Sequence, residues 1–199
     1  MESEQAQHET EYDRVYGAWN EGDWAEADPM RGVGLARTLA QIEPSSPDAW
    51  EALATTLMIA LFPLDGFANV GDGEAASMLD DPRLKEMLGA FERLATLDSA
   101  DTSAYWNSAI VLRRVGDFEA SYRNYMLAAQ RDAARPPTDY PDKAAMDYAL
   151  AAEVILKDGD EKRCRDALRL ARTHLDDTES DGMIESLVAE VEHGLTRQA

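Results

Sequence analysis

Four side chains in this chain belong to the types most often used as nucleophile, general base or soft metal ligand: His8, His174, His193 and the single cysteine, Cys164. Chemistry by such groups needs them to converge, a nucleophile on its base or three to four ligands on one ion. No two histidines stand four residues apart, so no helix face presents a pair. They fall in the N-terminal tail, at the end of the last helical segment and in the C-terminal helix, where a surface or helix-end role is expected. Cys164 lies on the same helical stripe as Leu168 and Ala171, where a small thiol packs much as alanine would. One cysteine excludes an internal disulfide and a cysteine-rich zinc cage, and it suits a reducing compartment. The stretch from Phe62 to Glu74 is rich in Asp, Asn and Gly. A calcium loop, however, needs oxygen ligands on alternate residues with glycine sixth and glutamate last, and Asp65-Gly66-Phe67-Ala68-Asn69 does not supply them. A partly apolar loop folded against a groove wall is expected there, long enough to cover or gate a ligand. No catalytic residue, metal or cofactor is therefore expected.

With 199 residues, 45% hydrophobic and 29% charged, the chain has the makings of one globular domain or a short repeat array, and wholesale disorder is excluded. Lys and Arg total 19 against 39 Asp and Glu, a net charge of −20, which repels nucleic acid and favours a basic partner. Residues 1–81 hold 17 acidic and 3 basic side chains, a net of −14. That concentration reads either as a face for a basic partner or as simple solvation, in a chain shaped by a salty cytoplasm or a G+C-rich genome. The first residues are acidic and no run approaches the roughly 18 apolar residues of a membrane span. A cytoplasmic protein, neither secreted nor inserted in a membrane, is expected.

The elements that must position these side chains are helical and repeat. From Tyr105, two apolar-periodic runs meet at Gly116-Asp117: Tyr105, Ser108, Ala109 and Leu112 share one stripe, and Ser121, Tyr125 and Ala128 share the other. Glycine accepts the left-handed conformation that ends a helix, and aspartate caps the next. The same grammar recurs with Tyr148, Ala151, Ala152 and Ile155 before Gly159-Asp160, then Cys164, Leu168 and Ala171. The two glycines are 43 residues apart, the excess lying in the connection from Arg135 to Pro141. Earlier copies run from Trp50 through Leu53, Ala54 and Leu57 to Met87, Phe91, Leu94 and Leu97, and from Tyr12, Val15, Tyr16 and Trp19 through Gly22-Asp23 to Ala36, Leu39, Ile42 and Pro44. A last amphipathic segment carries Met183, Leu187, Val188, Val191 and Leu195 on its apolar side.

This pattern resembles the tetratricopeptide repeat family, with its stripe of Trp, Leu, Gly and Tyr positions followed by Ala, an aromatic, Ala and Pro in about 34 residues. The four copies cover about 9–46, 47–101 with an insertion at 62–82, 102–135 and 145–178, after an acidic tail at 1–8 and before a capping helix at 182–195. Phe91, Leu94 and Leu97 step by 34 residues onto Tyr125, Ala128 and Arg131. Departures are the single closing proline, Pro44, and Gly32 or Cys164 where the family has alanine in its second helix. The resemblance implies an all-α superhelix of about four helical hairpins plus a capping helix, whose first helices line a concave groove for an extended peptide or a partner helix. Groove positions are then Trp106, Asn107, Ile110, Arg113 and Arg114, with Leu150, Glu153 and Lys157, then Glu51, Thr55 and Met58, and Asp13 and Asn20. Trp106, outside the packing stripe, is the expected anchor. The lysine and asparagine clamp that some members use on chaperone tails is absent, with Asp13, Glu51 and Ala149 in its places. The function expected is a non-catalytic adaptor, assembly or chaperone module, and the alternative is an acidic mimic that sequesters a basic protein by charge.

Overall fold

A computed structural model describes residues 2–22, 24, 28–62, 71–135, 142–175 and 182–198. Asp23, the Asp65–Asn69 stretch and the proline connection 136–141 lie outside the described residues, as does the side chain of His8. The described residues form helices only, with no strand: α1 (Glu2–Asn20), α2 (Pro29–Ile42), α3 (Pro47–Leu61), α4 (Pro82–Leu97), α5 (Ser103–Val115), α6 (Phe118–Ala133), α7 (Lys143–Lys157), α8 (Glu161–Leu175) and α9 (Met183–Gln198), plus one 3₁₀ turn at Ala76–Met78. None is long and apolar enough to cross a membrane.

Local sequence accounts for where these helices begin and end. Asp28, Ser46 and Asp81 each precede a proline and accept a hydrogen bond from a backbone amide of the first turn, the arrangement in which proline's missing N–H costs nothing. Asp117 accepts from Ala120 N at 3.0 Å and Asp160 from Arg163 N at 2.9 Å. Gly116 and Gly159 adopt φ of +82° and +84°. At both turns the glycine amide and the following aspartate amide bond back to carbonyls of the preceding helix, Arg113 and Leu112 in one, Leu156 and Ile155 in the other, which satisfies carbonyls a helix end otherwise leaves open.

The chain divides into two compact units, residues 1–71 with 77–104, and residues 72–76 with 105–199. In the first, α1 packs on α2, α2 on α3 and α3 on α4, burying Val33, Ala36, Leu39, Leu57, Met87, Phe91 and Leu94. Gly22 departs from the left-handed cap expected of it and has no positive φ. Its small size serves Trp24 instead: a Cβ on Gly22 would stand 2.0 Å from the indole, and one on Gly32 2.6 Å from it. Trp24 is thereby buried and donates its indole N–H to the Trp19 carbonyl at 2.8 Å.

In the second unit, Ser121 Oγ on α6 donates to the Ala109 carbonyl on α5 at 2.7 Å, α6 packs on α7, α7 on α8, and α9 lies against both α7 and α8. Tyr125, Tyr148, Ile155, Cys164, Leu168, Ala171, Ile184, Val188, Val191 and Leu195 share one core. Every stripe residue expected at 121, 125, 128, 148, 151, 152, 155, 164, 168 and 171 is buried. Two expectations fail. Met183 is exposed at 57% and Ile184 takes its place inside, since α9 turns its apolar side one residue further on. Ala149 is fully buried rather than facing a groove, because α7 has neighbours in α6, α8 and α9.

Candidate functional site

The sequence places two strips side by side in the second unit: Trp106, Asn107, Ile110, Arg113 and Arg114 on α5, and Leu150, Glu153 and Lys157 on α7. Trp106 is exposed at 37%, while Asn107 is half-buried and Ile110 and Leu150 are half-buried against the common core. The strips meet at Arg113, whose Nη1 and Nη2 donate to Glu153 Oε2 at 2.8 Å and Oε1 at 2.5 Å. This two-point geometry fixes orientation as well as charge.

A third participant comes from the end of the insertion. Asp72 Oδ1 accepts from Arg113 Nε at 2.6 Å and lies 3.3 Å from Arg114 Nη1, and Lys157 Nζ bonds Oδ2. Lys157 also lies 3.5 Å from Glu153. The backbone reinforces the contact, with Gly73 N donating to the Arg113 carbonyl at 3.1 Å and Ala75 N to that of Arg114 at 3.0 Å. Gly73, φ +74°, and Gly116 face each other so closely that a Cβ on Gly116 would stand 3.3 Å from the Gly73 Cα. Burial works against charge on both Asp72 and Arg113. Their mutual bonds and those to Lys157 and Glu153 outweigh it, holding the Asp72 carboxyl below its ordinary range and raising the guanidinium's pKa. Arg113, expected to grip a partner, has its guanidinium committed to Asp72 and Glu153.

The remaining expected residues belong to the first unit. Glu51 is exposed and Thr55 half-buried on α3, with Met58 half-buried and Asp13 and Asn20 exposed. Partial loss of hydration and the repulsion of Asp101 and Asp48 raise the Glu51 pKa. His174 stacks on Tyr148 with ring centres 5.4 Å apart, and His193 is exposed. Burial pushes the Cys164 thiol up to about 11, so at neutral pH it is neither a thiolate nucleophile nor a ready metal ligand.

One titratable group escapes a reading by stripe. Asp147 on α7 is 1% exposed, and burial, with Asp132 of α6 beside it, pushes its carboxyl up to about 7 despite the opposing Lys143. Its Oδ2 has no hydrogen-bond partner among the described residues. The signal in the sequence is an acid between Ala144 and Ala151, three and four residues away on the same apolar face. Asp72 had a fainter signal, a single acid between Gly71 and Gly73. Among the described residues no three His, Cys, Asp or Glu side chains are grouped to hold a metal ion. No protein-family model and no curated protein sequence matches this chain.

Proposed function

We infer that the chain is a non-catalytic, cytoplasmic interaction module of the tetratricopeptide kind, which holds a partner peptide or helix on the α5 and α7 strips and so acts as an adaptor or assembly factor. The observation that carries this reading is Trp106, an indole left 37% exposed on the strip whose lower half holds Ile110 and the Arg113–Glu153 bond. Large aromatics in such positions supply most of the binding energy at protein interfaces. The test compares wild-type, Trp106→Ala and Leu112→Ala chains as immobilised baits in source-cell extract, alongside their melting temperatures. Trp106→Ala should melt like wild type yet weaken the captured partner by about 2 kcal/mol or more. Leu112→Ala removes a buried side chain and should lower stability by about 2–5 kcal/mol together with binding. If Trp106→Ala retains the same partner at the same affinity, the strip is not the binding face.

A second reading is favoured by the net charge of −14 over residues 1–81: the first unit captures a basic protein by charge. Moderate salt distinguishes the two, because it strips a partner held by exposed charge and spares one held by an apolar anchor.

A further inference from the structure

The strongest local departure from the chain's charge lies on α8. This helix carries five of the 19 lysines and arginines against two acids, within a chain of net charge −20. Arg165, Arg169 and Arg172 stand at i, i+4 and i+7, hence on one side of the helix, and their side chains are 58%, 71% and 57% exposed. Between them and α9 runs an open cleft of about 670 Å³. The same three arginines form one wall, Glu192 and Thr196 belong to the other, and Leu168 and Leu195 line it as well.

Each arginine has a carboxylate nearby. Arg165 Nη2 donates to Glu161 at 2.9 Å, Arg169 lies 4.0 Å from Asp166, and Arg172 Nη2 donates to Glu192 at 2.6 Å. All three carboxylates are themselves 40% to 51% exposed. Exposed pairs of this kind contribute little to stability, so the guanidiniums can exchange them for a partner's carboxylates at small cost. Arg165 to Arg172 spans seven residues of helix, about 10 Å, with charges separated by four and then three positions. A second helix laid antiparallel in the cleft matches that spacing when it carries acids at i, i+3 and i+7, and an apolar residue between them packs on the arginine stems above the buried Leu168 and Leu195.

We propose that the cleft between α8 and α9 is a second docking surface, which takes an acidic amphipathic helix of a partner protein through the guanidiniums and apolar stems of Arg165, Arg169 and Arg172. Charge complementarity identifies the occupant. The apolar stems of the exposed arginines favour a helix with an apolar face over a bare polyanion.

The probe is a fluorescent, helix-stabilised synthetic peptide with glutamates at i, i+3 and i+7 around a leucine, titrated with the full chain. Saturable binding is expected, abolished when the glutamates become lysines and weakened at least tenfold when the leucine becomes serine. In the chain, Arg165→Glu with Arg169→Glu should weaken it at least tenfold with circular dichroism unchanged. Their nearest acids are on α8 itself, so no tie to α9 is cut. Should that variant fold poorly, Arg169→Gln alone should still give a severalfold loss. Trp106→Ala should bind the peptide as wild type does, which separates this surface from the α5 and α7 strip. Absence of saturable binding, or equal affinity in the arginine variants, would overturn the proposal. So would tighter binding of a single-stranded RNA oligonucleotide or of phosphatidylserine vesicles through the same arginines.

Discussion

Asp72 accepts a hydrogen bond from Arg113 Nε at 2.6 Å across 41 residues of sequence. With Arg114 and Lys157 on the same carboxylate and Glu153 on the far side of the guanidinium, the pair anchors residues 72–76 to the C-terminal end of α5. The Asp72 and Arg113 side chains are only 12% and 16% exposed, so the network stands between a surface ion pair and a buried one. Truncating Asp72 removes the carboxylate that Arg113, Arg114 and Lys157 share.

Asp72→Ala should therefore destabilise the protein by about 1–3 kcal/mol, above an exposed pair and below a fully buried one. Because the folded state holds the Asp72 pKa below its ordinary value, this contribution is present above the unfolded carboxyl pKa and is lost as pH falls through the lower, folded one. Urea denaturation of both proteins should show the full difference at pH 6 and a shrinking one below about pH 4. A constant difference over that range would show that charge is not its source.

Asp147 predicts the opposite slope. Its carboxyl is pushed up to about 7 by burial and by Asp132, so the folded state binds a proton that the unfolded state has already released between about pH 4 and pH 7. The stability gained from that proton is whole below the unfolded pKa and is lost as pH rises through about 7. Asp147→Asn keeps a donor toward Asp132 without the titration. It should match wild type near pH 4 and exceed it at pH 8 by up to about 4 kcal/mol, read from denaturation midpoints at the two pH values. Parallel curves for the two proteins would refute the assignment.

The two repeat turns should respond unequally to the same substitution. Alanine at Gly159, φ +84° with open space around its Cβ, costs the left-handed backbone strain alone, about 1–2 kcal/mol. Alanine at Gly116, φ +82°, also meets the Gly73 Cα at 3.3 Å, a backbone atom that can yield only by loosening Gly73 N from the Arg113 carbonyl. Gly116→Ala should cost at least about 1 kcal/mol more, the worth of one backbone hydrogen bond. Its deficit should shrink in an Asp72→Ala background, since the two changes strain one contact. Equal melting temperatures for the two glycine variants would show that residues 72–76 do not bear on the turn.

The sequence by itself determined the helical pattern, the Gly116-Asp117 and Gly159-Asp160 turns with their capping aspartates, and the buried stripes of α6, α7 and α8, because each depends on residues within a few positions of one another. Asp117 caps the helix that follows it, and Ser121, Tyr125 and Ala128 share a face by helical period alone. The strip containing Arg113 and Glu153 was legible for the same reason, as one offset applied to two copies of a repeat. Tertiary structure alone decided what covers or fills those faces. Ala149 is buried because α7 has three neighbouring helices, Gly22 and Gly32 are small because Trp24 lies against them, and Arg113 is neutralised by an acid from the insertion. Asp147 and Asp132 share a buried environment, and the arginines of α8 face a cleft, only through the placement of α6 against α7 and of α9 against α8. Helical period assigns a residue to a side of its own helix, and the neighbour on that side is chosen by contacts between residues distant in sequence.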